Sequence, residues 1–386
     1  MSKKLVSILL CLVMLAGIAV MGTSCGDKDD GVFRLGVILL HDEKSTYDLN
    51  FINGIMAAKE ALGLTDEQVI IKKNIGETNA CYEAALDLID AGCDVIFADS
   101  FGHESHLLKA AKENPKVQFC HATGTKAHTE GLKNFHNAFA SIYEGRYLAG
   151  VAAGLKLNAM IEAGEITADQ AKMGYVGAFT YAEVISGYTS FYLGAKSVCP
   201  TVTMDVQFTG SWYDENAEKT TAEALINGGC KLISQHADSM GAPGACEAAG
   251  GPNVSYNGST YDACPETFIV SSAINWTPYY VYITKCITEG TEIATNWCGG
   301  IAEGSVVLTG INLDVAADGT LDAIKDAIAD LKAGTVQVFD TVNFTVGKQA
   351  PTHDLISDGY FHESETISAP SFDLRIDGIK LLNEKF

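Results

Sequence analysis

One sequence of residue types occurs twice in this chain. Leu88-Ile89-Asp90-Ala91-Gly92-Cys93-Asp94-Val95-Ile96 leads through Phe97-Ala98 to Asp99-Ser100-Phe101-Gly102. Later, Leu225-Ile226-Asn227-Gly228-Gly229-Cys230-Lys231-Leu232-Ile233 leads to Ala237-Asp238-Ser239-Met240-Gly241. The likeness extends from Ala110-Ala111-Lys112-Glu113-Asn114-Pro115-Lys116-Val117 to Ala248-Ala249-Gly250-Gly251-Pro252-Asn253-Val254. Each copy reads as a helix end, a Gly turn, a buried strand, an acidic loop, a helix, a Pro break and a further strand. Gly turns before an acidic residue are common in α/β proteins, but so many shared residues in one order favour duplication. Two such units imply two similar α/β lobes, and paired lobes hold ligands between them. The second copy has two more residues between its Cys and its Asp. An even insertion in extended chain preserves side-chain facing, so both aspartates are expected to leave their sheets pointing the same way.

The rest of the chain supports two lobes. Phe33 to Leu40 is a continuous apolar strand that empties into a polar loop, and Ile52, Ile55, Ala58 and Leu62 follow at helical spacing. Residues 69–71 form a strand, residues 78–91 an amphipathic helix, and 117–119 and 138–140 further short strands. Tyr143 to Leu157 is a helix rich in Gly and Ala, suited to close packing rather than chemistry. Alternation then restarts: strand 173–179, helix 183–197, strand 202–208, helix 214–228 and the second repeat. Such alternation predicts an α/β fold of two Rossmann-like lobes with parallel sheets and right-handed crossovers. Beyond residue 270 come a helix from Asn275, a Gly-rich stretch at 299–304, a strand at 305–309, a helix at 321–333 and a β-rich tail. These read as return segments, implying several hinge crossings. The expected lobes are 32–140 with about 272–300, and 141–271 with about 301–386.

The front of the chain reads as an export signal. Lys3 and Lys4 precede an apolar run from Leu5 to Met21, then Gly22-Thr23-Ser24, Cys25 and a polar linker. A Cys directly after small residues resembles a bacterial lipobox, which makes 1–24 a lipoprotein signal peptide and 25–31 a linker. Diacylation at Cys25 would supply two acyl chains, enough to anchor the protein on the extracytoplasmic face of the cell membrane. A simply cleaved secreted protein and a retained span are the alternatives, and the run is short and poorly flanked for a span. Without Cys11 and Cys25, nine of eleven cysteines remain, an odd number that cannot all pair within one chain. Cys93 and Cys230 begin equivalent strands and read as small core residues. The net charge of −22 argues against nucleic acid as a partner.

Open parallel sheets place ligands beyond the carboxyl ends of their strands. The loops in question are 41–50, 99–103, 121–128, 179–183, 209–213 and 236–241, which are rich in aromatics and aspartates. Tyr47, Phe179, Trp212 and Trp276 are candidate walls for a planar ligand, with carboxylates to orient it. Asp42, Asp99 and Asp238 could serve acid–base chemistry or simply accept hydrogen bonds. Among enzyme signatures, no Gly-x-Ser-x-Gly, phosphate-cradling Gly loop or His-Glu-x-x-His occurs beyond the export signal and linker, where Gly22-Thr23-Ser24-Cys25-Gly26 spans the expected cleavage site. Cys120-His121 with His128 fits no strong metal spacing, so neither a metal nor a cofactor is expected.

Leu40-His41-Asp42-Glu43-Lys44-Ser45-Thr46-Tyr47-Asp48-Leu49-Asn50-Phe51 resembles the first loop of the basic membrane protein family. So do Phe119-Cys120-His121-Ala122-Thr123-Gly124, Tyr143 to Gly150, Gly210-Ser211-Trp212-Tyr213-Asp214, His236-Ala237-Asp238-Ser239 and Asn275-Trp276-Thr277-Pro278-Tyr279-Tyr280, in the family's order. These are substrate-binding lipoproteins of ABC importers with the type I periplasmic-binding-protein fold, and characterised members bind purine bases or nucleosides. The resemblance makes Tyr47 a stacking aromatic with Asp48 and Asn50 nearby, Trp212 the opposing ring and Asp238 a polar contact. Asp99 becomes a loop-ordering residue. Nucleoside binders commonly carry a Lys at the later hinge loop, where this chain has Asn275-Trp276; both residues are candidate contacts, and the change favours a free base over a nucleoside. Implied partners are an ABC permease and its ATPase, with no catalysis. A ligand sensor for a membrane signalling partner, or a nucleoside-hydrolysing enzyme, would use the same cleft.

Overall fold

The computed structural model describes residues 31–384; the expected signal peptide and Cys25 lie outside the described residues. The repeated sequence becomes a repeated topology. The first sheet contains β1 (Leu35–Ile38), β2 (Val69–Lys72), β3 (Val95–Ala98), β4 (Gln118–Ala122) and β5 (Phe135–Ala140). The second contains β6 (Lys172–Gly177), β7 (Thr203–Phe208), β8 (Leu232–His236), β9 (Asn253–Tyr256) and β10 (Phe268–Ile274). Their orders, β5-β4-β3-β1-β2 and β10-β9-β8-β6-β7, are the same arrangement, and all these strands are parallel. β3 and β8 carry the two copies, and each follows a helix that ends in a Gly turn, at Gly92 and Gly229. The chain has the type I periplasmic-binding-protein fold.

Later segments complete both sheets. β11 (Asn296–Gly299) lies parallel beside β5, and β12 (Val306–Leu308) lies antiparallel beside β10. The chain therefore crosses between lobes after β5, after β10 and after β11. The return to the first lobe falls at Asn275 rather than near residue 272, because β10 stays paired with β12 through Ile274. The tail is less β-rich than its composition suggests. It holds a hairpin of two-residue strands, β13 (Ile356–Ser357) and β14 (Tyr360–Phe361), then β15 (Ile379–Leu381) beside β7. What fixes it is an aromatic cluster in which Phe339 and Phe372 stack at 4.3 Å, with Phe344 and Phe361 edge-on to Phe372.

Burial accounts for the strands. Every residue of β1 and β3 is buried, as expected for parallel strands covered on both faces. Cys93 and Cys230 are buried, and all nine cysteines among the described residues are free thiols. The small-residue helix Ile142–Glu162 packs backbone-close on helix Ala182–Val198. A Cβ on Gly150 would lie 2.0 Å from the Phe191 carbonyl oxygen, and one on Gly194 2.0 Å from that of Tyr147. Among the described residues no helix is long and apolar enough to cross a membrane.

Trp276 belongs to this packing. It precedes helix Thr277–Glu289, is 1 % exposed, stacks on Phe51 at 4.4 Å and meets Phe97 edge-on at 5.5 Å. Gly54 makes the approach possible, since a Cβ there would come within 2.6 Å of the Trp276 Cβ. Trp276→Ala should lower the unfolding free energy by about 3–5 kcal/mol in urea titration, the range for truncating a buried ring. A loss below about 1 kcal/mol would show the ring is not packed as described.

A closed cleft between the lobes

Loop and helix chemistry set the first-lobe wall. β1 empties into a turn whose Ser45 caps helix Thr46–Leu62, its Oγ accepting from the Asp48 amide at 3.2 Å. Asp48 Oδ1 accepts from the His41 amide at 2.7 Å, and His41 Nδ1 lies 3.4 Å from Oδ2. Burial opposes the Asp48 charge, but the interactions with His41, Asp99 and Ser45 outweigh it and hold the carboxyl below its usual range. Tyr47 donates its hydroxyl to the Asp99 carbonyl at 2.8 Å and meets Phe51 edge-on at 4.9 Å, so its ring stands as a fixed wall.

The second lobe supplies the opposite wall. After β7, Thr209 and Gly210 donate to the Gly177 and Ala178 carbonyls, and the Asp238 amide donates to the Trp212 carbonyl at 2.9 Å. Trp212 is thereby held against Phe179, edge-on at 5.1 Å. At the end of β8, His236 Nε2 lies 3.4 Å from Glu183 Oε1, and its ring lies 4.2 Å from that of Tyr256. The Asp238 carboxyl is raised well above its usual range, first by burial and then by Asp48, Glu218 and Glu183. Glu218, behind it, is pushed up to about 7 by burial.

These walls border about 380 Å³ of space between atoms, part of it open to solvent. Tyr47, Asp48, Thr123, Glu183, Trp212, His236, Asp238 and Tyr256 are among its lining residues, and no Lys or Arg is. Thr123 has φ +63°, a left-handed conformation unfavourable for a β-branched residue, and its buried Oγ1 has no hydrogen-bond partner. The lobes are closed on one another. Thr46 donates its amide and hydroxyl to the Asp238 carbonyl at 3.2 and 3.3 Å. Asn50 Nδ2 donates to Asn257 Oδ1 at 3.1 Å, and Phe101 meets Tyr181 at 5.4 Å across the cleft.

The structure gathers four expected residues, Tyr47, Asp48, Trp212 and Asp238, at this cavity. Asn50 instead bridges the lobes, and Phe179 backs Trp212 and stacks on Tyr181 at 5.1 Å. Asn275 is in the hinge: its Nδ2 donates to the Gly304 carbonyl at 3.0 Å and its Oδ1 accepts from the Thr277 amide at 3.1 Å. Trp276 is core, for the packing reason given above. Asp99 does not line the cavity; it is buried, with Oδ1 accepting from the Leu40 amide at 3.1 Å and its carboxyl raised by burial and by Asp48. Glu183, His236 and Thr123 also line the cavity, from the strand-end loops 179–183, 236–241 and 121–128, where no sequence signal marks them as contacts. Tyr256 lay outside those loops altogether.

Two lobes shut over an aromatic, acidic cavity define a ligand-capture protein of the periplasmic-binding type. The family model described as Bmp, ABC transporter substrate-binding protein PnrA-like, matches residues 40–338, and the chain belongs to that family. It is 33 % identical over 247 residues to a purine-binding protein of Brucella abortus, covering 64 % of this chain and 66 % of that one. It is 31 % identical over 236 residues to a putative ABC transporter glucose-binding protein of Haloferax volcanii, covering 61 % and 55 %. The chain thus spans just under two thirds or less of these relatives' lengths. An ABC transporter solute-binding protein from Aeropyrum pernix K1 superposes with TM-score 0.65 at 17 % identity, covering 84 % of this chain and 95 % of that one, which supports the fold alone.

If Trp212 is a cavity wall, Trp212→Ala should weaken ligand binding by about 1–3 kcal/mol, the range for one ring stacked on a base. Isothermal calorimetry gives the number, and an unchanged affinity would remove Trp212 from the site.

Proposed function

We propose that this protein captures a purine, as the free base rather than the nucleoside, and presents it to an ABC permease and its ATPase without chemistry. Anchored through Cys25, it would work on the extracytoplasmic face of the membrane. The observation that carries this reading is the chemistry of the closed cavity. The aromatic side chains of Tyr47 and Trp212 accompany Asp48, Glu183 and Asp238, with no Lys or Arg in the lining. A purine base is flat, so the rings can bury its faces, and its N–H and amino groups suit carboxylate acceptors. A phosphorylated ligand would meet like charge with no cation to offset it.

Two features support the base over the nucleoside. The position where nucleoside-binding relatives commonly carry a Lys is Asn275, whose amide is already engaged at the hinge. The lobes also meet at Asp238 and Asn257, contacts that limit the room beside a base in the closed state.

Calorimetry with adenine, hypoxanthine, guanosine, inosine, adenosine monophosphate and glucose tests the reading. The bases should bind most tightly and the monophosphate weakest among the purines. Tighter nucleoside binding would sink the base preference, and binding of glucose alone would overturn the purine assignment.

A further inference from the structure

A buried cation stands behind the second-lobe wall, and the capture mechanism above makes no use of it. Arg146, on helix Ile142–Glu162, is fully buried, and among the described residues it makes no ion pair. Its guanidinium instead spans three adjacent strands: Nη2 donates to Ser234 Oγ of β8 at 2.6 Å, and Nη1 to the Ser255 carbonyl of β9 at 3.2 Å and Ser272 Oγ of β10 at 3.3 Å. Aromatic rings surround it, Phe191 at 4.8 Å, Tyr256 at 5.3 Å and Tyr175 at 5.4 Å. Burying a cation without a carboxylate is costly, and only hydroxyls, one carbonyl and ring faces compensate.

Of the three rings, Tyr256 is the one that reaches the ligand cavity. It ends β9, is 1 % exposed and packs on His236. Its hydroxyl has no hydrogen-bond partner within the protein, as is true of the buried Tyr175, Tyr188, Tyr279 and Tyr280 hydroxyls, but of these five residues Tyr256 alone lines the cavity. Burial, followed by Glu183, raises its pKa well above the usual value, so the group stays an O–H donor. The carboxylates of Asp48, Glu183 and Asp238 present acceptors to the same space. A ligand that satisfies the whole lining must offer an acceptor to Tyr256 as well as donors to the carboxylates.

We propose that the Tyr256 hydroxyl donates to a ring nitrogen of the bound heterocycle, and that Arg146, packed over the Tyr256 ring, is the positioning residue that keeps it aimed there. This rests on the purine reading and adds a specificity contact to it. Tyr256→Phe removes only the hydroxyl and should weaken binding of the preferred base roughly threefold to tenfold, the net worth of one neutral hydrogen bond. Deaza analogues of that base, each with one ring nitrogen replaced by C–H, identify the partner. One of them should lose affinity for the wild type but lose no more on Tyr256→Phe. Arg146→Met should weaken binding in the wild-type background and have little effect on binding in the Tyr256→Phe background.

Equal affinities of wild type and Tyr256→Phe would overturn the contact. So would deaza losses that are the same in both proteins. Equal losses from Arg146→Met in both backgrounds would overturn the positioning role. Should Arg146→Met not fold, the Tyr256→Phe and deaza comparison still decides the contact. Failure of the wild type to bind any purine base would overturn the underlying reading instead, so the two failures are separable.

Discussion

The first turn of an α-helix leaves amide donors without partners inside the helix, and here one is satisfied by the other lobe. Thr46, first residue of helix Thr46–Leu62, donates its amide and hydroxyl to the carbonyl of Asp238. That contact holds the closed state and draws acidic groups together. Asp48 comes from one lobe, Glu183 and Asp238 from the other, and burial with mutual repulsion makes the Asp238 charge unfavourable. Closing an empty cleft would therefore crowd carboxylates with nothing to offset them. A ligand bringing N–H donors relieves that cost only in the closed form, which is the differential affinity that closure requires.

The duplication built this arrangement but is used unequally. Asp99 and Asp238 occupy equivalent places after β3 and β8. Asp99 turns inward to the Leu40 amide, and its carbonyl fixes Tyr47. Asp238 faces the cavity with its side chain and the opposite lobe with its backbone. The two extra residues of the second copy accompany that difference: β8 runs five residues, to His236, where β3 runs four, to Ala98.

Much of this was legible in the sequence because the rules involved are local. Strand–helix alternation and the two Gly-turned repeats define the lobes, and aromatic or acidic residues after strand ends point to Tyr47, Trp212 and Asp238, with Asp48 implied by the family resemblance. Trp276 follows a strand in the same way, yet it is core. What decides its fate is Phe51 and Gly54 on a helix far earlier in the chain, a pairing no local pattern reveals. Asn275 is likewise engaged from a distant segment, by the Gly304 carbonyl across the hinge. Tyr256 and Arg146 were invisible as a pair because their relation exists only once β8, β9 and β10 lie side by side.

The central claim is that ligand, rather than the protein alone, closes the lobes. Small-angle X-ray scattering of the ligand-free protein and of the same sample saturated with adenine tests it directly. The account predicts a more extended ligand-free particle that contracts on saturation to match the closed structure. Identical profiles, already matching the closed structure before adenine is added, would contradict it.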